Sequence, residues 1–419
     1  MKPYHIVGAA VLAGLIAAPV CAAAFDPEAA TQAYLATLNG AARAKSDAYF
    51  EGGYWLILWG ALAALASDAI ILNFGLSRRF RDWAERVTKR RWLQPGLYVL
   101  PYIAVGTLIT LPWTIYTGFF RERQYDLMNQ SFGAWAGEQA TGLAVGIVLT
   151  PLLVIALWAG IRNSPKRWWL WGAAGLTLFT AIGALVAPVF LSPLFNTYTE
   201  LKPGPLRDRI VAMAKSRDIP ADHIYVYDAS KQTKKISANV SGLGPTTRIS
   251  LNDNLLNRTG PDEVVSVLGH EMGHYKLNHV PRAIGIFAFI FLVAFYLLYR
   301  LVPLIIARYG ARWGVRGADD PAALPIFGIL LTLFFLVITP VTNTMTRVQE
   351  VEADAFGLDA AHQPDAAAKV FMMLSEYRKI APGSIEEILF YDHPSGRNRV
   401  RMAMDWKAAH LVEVEAKAK

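Results

Sequence analysis

The chain has 419 residues, 54% hydrophobic and only 18% charged, with 41 Lys+Arg against 33 Asp+Glu for a formal net charge of +8. A soluble domain carries roughly 25% charged residues, so this composition excludes a soluble globule and, with so much apolar content, a disordered chain. The one cysteine, Cys21, excludes an internal disulfide and a thiolate metal cluster, leaving His and carboxylates as donors for any metal site. The 12 Trp, 17 Tyr and 20 Phe suit a protein that anchors spans at membrane interfaces. Much of the basic excess flanks apolar runs, so it reads as orientation in a lipid bilayer, and no nucleic-acid partner is expected.

A membrane span needs about 20 apolar residues. The first such run is Ile6 to Phe25. Lys2 before it and Ala22-Ala23-Ala24 at its end make residues 1–25 either a signal-like segment or a first span. Tyr54 to Leu76 (interrupted by Asp68), Leu97 to Phe120, Ala140 to Ile161 and Trp168 to Asn196 then make residues 26–196 an N-terminal membrane region with four spans. Their internal prolines, such as Pro112 and Pro151, are tolerable inside a helix bundle. Residues 197–282 are polar and read as mixed α/β: a helix over Leu206 to Arg217, β-like runs at His223 to Tyr227, Ile236 to Ser241 and Arg248 to Leu251, and a helix from Thr259. Ala283 to Ala307 and Ala322 to Thr346 form a two-span hairpin within residues 283–346, and residues 347–419 are polar again. The expected fold class is mainly α, a multi-pass membrane protein of about seven spans carrying an α/β domain split in two.

Basic residues crowd the loop Ser77 to Gly96, the turn Arg162 to Arg167 and the segment Arg308 to Arg316, whereas the opposite short loops hold only Arg43, Lys45, Arg121 and Arg123. By this charge bias the two polar segments lie on the non-cytoplasmic side.

The chemistry resides in Gly269-His270-Glu271-Met272-Gly273-His274. Thr259 and Asp262 suggest a capping box, with Pro261 in the first turn. On a helix, His270 and His274 project from one face as two imidazole ligands, with Glu271 beside them to take a proton from an activated water. A catalytic Zn2+ site needs a third protein ligand and an open position. His279 is out of helical phase and is expected to face away from the metal. Glu350 is the candidate third ligand, and Asp354, four residues on and on the same face, is placed to orient a histidine ligand; Glu352 points elsewhere. Two spans separate His274 from Glu350, so both return to one side of the membrane.

With these residues in place, the chain resembles the type I CAAX prenyl endopeptidases, seven-span gluzincin zinc metallopeptidases. The resemblance runs through Leu111-Pro112-Trp113, Ala187-Pro188-Val189-Phe190, the His270 to His274 motif and Glu350 to Phe356, to His393-Pro394 and Arg399. It implies one zinc per chain on His270, His274 and Glu350, Glu271 as general base, Asp354 behind the ligands, His393 donating to the oxyanion and Arg399 supporting the site. It also implies that a peptide or protein substrate lies along the strand Ile236-Ser237-Ala238-Asn239-Val240-Ser241, where the family's usual Asn-Ala reads Ser237-Ala238. The family's catalytic domain is expected in the cytoplasm, opposite to the charge count. The signal-like start points to a bacterial inner (plasma) membrane. Two other readings stand beside this one: a stress-response protease for damaged membrane proteins with the same zinc chemistry, and a seven-span transporter using Asp68.

Overall fold

The computed structural model describes residues 25–242, 247–412 and 414. The first apolar run therefore lies outside the described residues apart from Phe25. The chain opens with α1 (Pro27–Leu35), α2 (Gly40–Asn73), α3 (Leu76–Val87), α4 (Gln94–Ile115), α5 (Arg121–Gln124), α6 (Phe132–Asn163) and α7 (Trp168–Val186). Next come β1 (Tyr198–Glu200), α8 (Pro205–Ser216), β2 (Ile224–Tyr227), β3 (Ala238–Ser241), β4 (Arg248–Asn252), α9 (Asp253–Arg258) and α10 (Pro261–Lys276). The remainder is helical: α11 (His279–Trp313), α12 (Leu324–Ala361), α13 (Pro364–Leu374), α14 (Ser384–Phe390) and α15 (Gly396–Ala409).

Six of these stretches are long and apolar enough to cross a membrane: Gly40–Asn73, Gln94–Gln124, Phe132–Asn163, Trp168–Leu194, His279–Trp313 and Pro321–Ala361. They form a closed ring in which α2 touches α4, then α6, α7, α11 and α12 follow in turn, and α12 returns to α2. A solid bundle buries an inward stripe along every helix. Here none of residues 47–66, 100–118, 136–153, 174–196, 280–289 or 328–348 is buried. The ring therefore surrounds an open interior at mid-height and is closed by packing at its ends.

One end is a plug of Leu72, Tyr98, Trp158, Trp168, Phe295, Val302 and Phe327. The basic loops gather here, stapled by Arg81 to Asp320 at 2.7 Å and by Arg316 to Glu85 at 2.6 Å. The other end carries the α/β domain. Its sheet has the order β1-β2-β4-β3, with β2 and β4 parallel and both outer pairs antiparallel. Strand β3 is an edge. Ile249 and Leu251 on β4 pack with Ile210 of α8 and Val264, Leu268 and Met272 of α10. A second cluster joins Leu35 of α1 to Leu358, Phe371, Val400 and Met404.

One local reading is corrected. Helix α10 is capped one residue later than expected: Gly260 is the N-cap, and its N–H donates to Glu263 Oε2 at 3.0 Å, while Thr259 Oγ1 turns back to Leu255 O. The segment bearing Glu350 is the uninterrupted continuation of the last span in α12. No glycine follows Pro340 until Gly357, so nothing breaks the helix as it leaves the apolar zone.

Candidate active site

Helices α10 and α12 approach closely because small residues face one another across them. A Cβ on Gly269 would lie 3.1 Å from Gly357 O, one on Gly273 would lie 3.0 Å from Ala353 Cα, and one on Gly357 would lie 2.8 Å from His270 N. Small residues four apart on each helix, Gly269 and Gly273 against Ala353 and Gly357, let the backbones meet and bring Glu350 to the two histidines. This pairing went unread in the sequence, although the four-residue spacing was visible.

His270 Nε2 and His274 Nε2 lie 3.1 Å apart. Glu350 closes the triangle, with Oε2 3.3 Å from His270 Nε2 and Oε1 3.4 Å from His274 Nε2. Donors bound to zinc at about 2.0–2.1 Å in a tetrahedron stand roughly 3.4 Å apart, so the three groups fit such an ion. Two further observations suit a cation here. Buried Glu350 Oε2 has no hydrogen-bond partner. Burial lowers the His270 pKa, but the adjacent carboxylates of Asp354 and Glu350 outweigh that and carry it up to about 10, so the surroundings favour positive charge.

Each histidine is held from behind. Asp354 Oδ1 lies 2.8 Å from His270 Nδ1, and Arg399 donates to both Asp354 oxygens at 2.7 and 2.6 Å. Arg399 thus acts through Asp354 and is a positioning residue. His274 is backed by a residue that the sequence reading turned away. His279 is 2% exposed, its Nδ1 lies 2.9 Å from His274 Nδ1, and its Nε2 lies 3.0 Å from Glu352 Oε2. The expectation that His279 faces away assumed one continuous helix. Instead α10 stops, Asn278 takes a left-handed conformation at φ 56°, and the chain turns His279 under the metal-facing pair. Glu352 does point elsewhere than the triad, toward His279 and Arg282.

Glu271 lines the same cavity, of about 160 Å³, as Ile236, Ser237, Ala238, His393 and Arg399. Burial pushes the Glu271 carboxyl above the ordinary glutamate range, against the pull of His270 and His274. A base raised in this way stands nearer neutrality, where proton transfer is most effective. His393 arrives from the loop before α15, with Nε2 3.3 Å from Glu350 Oε2 and Nδ1 2.8 Å from Asp392 Oδ1. Burial holds the His393 imidazole below its ordinary pKa, although its bond to Asp392 pulls the other way. Asn239, Val240 and Ser241 continue along β3, with one main-chain edge on β4 and the other unpaired among the described residues. Asp68, by contrast, sits among the spans far along α2 from the α/β domain, accepting from Tyr102 at 2.7 Å.

Comparisons with known proteins agree with this arrangement. Residues 200–407 match the model of Peptidase family M48, and residues 29–197 match that of the CAAX prenyl protease N-terminal region with five membrane helices. The chain is 29% identical over 336 residues to the uncharacterized metalloprotease YhfN of Bacillus subtilis, covering 80% of this chain and 79% of that protein. It is 25% identical over 383 residues to a CAAX prenyl protease 1 homolog of Arabidopsis thaliana, covering 85% and 86%. The crystal structure of S. mikatae Ste24p shares the fold, with a TM-score of 0.74 at 20% identity over 90% of this chain and 94% of that one. The transporter reading gives way to an enzyme. The chain belongs to peptidase family M48, as a membrane-embedded metalloprotease of the CAAX prenyl protease type.

Proposed function

We propose that the metal is zinc, held by His270, His274 and Glu350, and that the chain hydrolyses peptide bonds near the C-termini of membrane-associated proteins, as the names of its relatives imply for CAAX processing. The observation that carries this is the convergence of three donor groups whose nearest ligand atoms stand 3.1 to 3.4 Å apart, pair by pair. Bound zinc would polarise a water and the attacked carbonyl. Glu271 takes the proton from that water and passes it to the leaving nitrogen. With His393 Nδ1–H given to Asp392, Nε2 would donate to the developing oxyanion only as imidazolium, a form that Asp392 favours and that burial, the larger influence, opposes. Asp354 and Arg399 hold His270 in the tautomer that turns Nε2 to the metal. The free edge of β3, with Ile236 and Ser237 leading into it, suits pairing with a substrate main chain. The signal-like start and the bacterial relative support a bacterial inner membrane.

The test is Glu271→Gln. This variant should retain one zinc per chain and lose turnover by several orders of magnitude, since an amide accepts no proton. Near-normal hydrolysis by zinc-loaded Glu271→Gln protein would remove Glu271 from the mechanism.

A further inference from the structure

The plugged, basic end of the ring holds a second cavity, of about 730 Å³, that shares no residue with the catalytic one. That volume falls in the range of about 300–1,000 Å³ that holds small ligands. Its walls come from the ends of spans: Arg91 and Trp92 just before α4, Trp158 and Arg162 in the last turns of α6, and Trp168 at the start of α7. Tyr299 of α11 meets Trp168 edge-on and completes the wall at the same level. Span ends stand at the depth of lipid headgroups, where Trp and Tyr gather.

The charge in this cavity is unbalanced. Arg162 donates to two main-chain carbonyls, from Nη1 to Arg91 O at 2.5 Å and from Nη2 to Asp319 O at 3.2 Å, and forms no ion pair among the described residues. The acids nearby are taken, Asp320 by Arg81 and Glu85 by Arg316. Among the described residues of the wall, Asp319 is then the one carboxylate against Arg91 and Arg162. Arg90, Lys166 and Arg167, next to these in sequence, are exposed and add positive charge. Two donors of the wall residues, Trp158 Nε1 and Arg162 Nε, are buried without an acceptor, so this wall is short of acceptors rather than donors. A guanidinium tied down by neutral carbonyls is held in place while its charge stays uncompensated.

We propose that this cavity binds the phosphate of an anionic membrane phospholipid, with Arg91 and Arg162 toward the phosphate and Trp92, Trp168 and Tyr299 against the glycerol and the first methylenes of the acyl chains. Arginine pairs strongly with phosphate oxygens, and basic pockets between spans hold acidic headgroups. A soluble phosphate ester would meet the same two cations. The aromatic walls and their depth, however, suit a ligand that carries hydrocarbon beside its phosphate. Seated there, the lipid braces α6, α7 and α11 against the loop before α4, at the end of the ring opposite the α/β domain. The proposal is independent of the peptidase reading and needs only that the ring lies in a bilayer.

The experiment titrates delipidated full-length protein in detergent with phosphatidylglycerol, with phosphatidylcholine of the same acyl chains, and with glycerol phosphate, and counts bound ligands by native mass spectrometry. One phosphatidylglycerol per chain should bind roughly ten- to thirtyfold more tightly than phosphatidylcholine, and glycerol phosphate should fail to displace it at equal concentration. Arg91→Gln with Arg162→Gln should remove the preference. Arg91→Gln alone, which keeps the carbonyl that Arg162 holds, should remove part of it. Arg86→Gln with Lys89→Gln takes the same charge from exposed positions outside the cavity and should leave the preference intact. Equal affinities for the two lipids, or no saturable binding, would overturn the proposal on the wild-type protein alone, whether or not the double variant folds. A preference that survives in the folded Arg91→Gln, Arg162→Gln protein, or that falls equally in the control pair, would overturn the site in favour of diffuse surface charge. Displacement by an equal concentration of glycerol phosphate would overturn the lipid and make the ligand a soluble phosphate ester.

Discussion

The two histidines of the candidate metal site lie one turn apart on the same helix, yet they are supported in opposite ways. Behind His270, Asp354 has a fully buried side chain and receives a two-donor grip from Arg399, itself 6% exposed. Behind His274, the chain of contacts runs through buried His279 to Glu352 and Arg282, whose side chains are 38% and 47% exposed. A charge pair sealed from water cannot lose one member without leaving the other stranded. An exposed pair is screened and contributes little. The same task, fixing an imidazole tautomer, is thus done once by a rigid interior element and once by a surface chain whose only buried link is His279.

This contrast sets an order of effects. Asp354→Asn should be the most damaging, because Arg399 is left as an unpaired buried charge and His270 loses its anionic partner. The expected loss is about 3–5 kcal/mol in unfolding free energy and roughly 10- to 100-fold in metal affinity, read by denaturant melts and chelator competition. His279→Ala should cost about 1–3 kcal/mol, the penalty for a buried donor without a partner, and should speed zinc release in the same competition assay. Arg282→Ala, at the exposed end, should stay within about 1 kcal/mol. An Arg282→Ala effect as large as that of Asp354→Asn would break the comparison. An Asp354→Asn variant with wild-type metal affinity would break it from the other side.

The pair of imidazoles was legible because its spacing lies within a single helix, where sequence separation alone sets direction. Glu350 and Asp354 were legible for the same reason, once a third ligand was required. His279 was misread because its direction depends on Asn278, whose left-handed conformation ends one helix and starts another. A helical wheel has no means of registering such a break. The approach of α10 to α12 had a readable signal in Gly269, Gly273, Ala353 and Gly357, but spacing on one helix does not name its partner helix. Of the sheet, three strands left an alternation to follow, whereas β1 is three residues long and too short to leave one. The open interior was invisible in composition, since residues facing lipid and residues facing a cavity between apolar helices draw on the same alphabet. The end plug depends on which helices neighbour one another, information carried only by the folded ring.

Three side chains from two helices converge on one candidate metal site. The direct measurement is metal content by mass spectrometry, on purified full-length protein in detergent, for the wild type and for Glu350→Ala. The wild type should carry one zinc per chain, and Glu350→Ala, with two of three protein ligands left, should retain little after dialysis against a mild chelator. One zinc per chain in Glu350→Ala under the same dialysis would contradict the account and require a different third ligand.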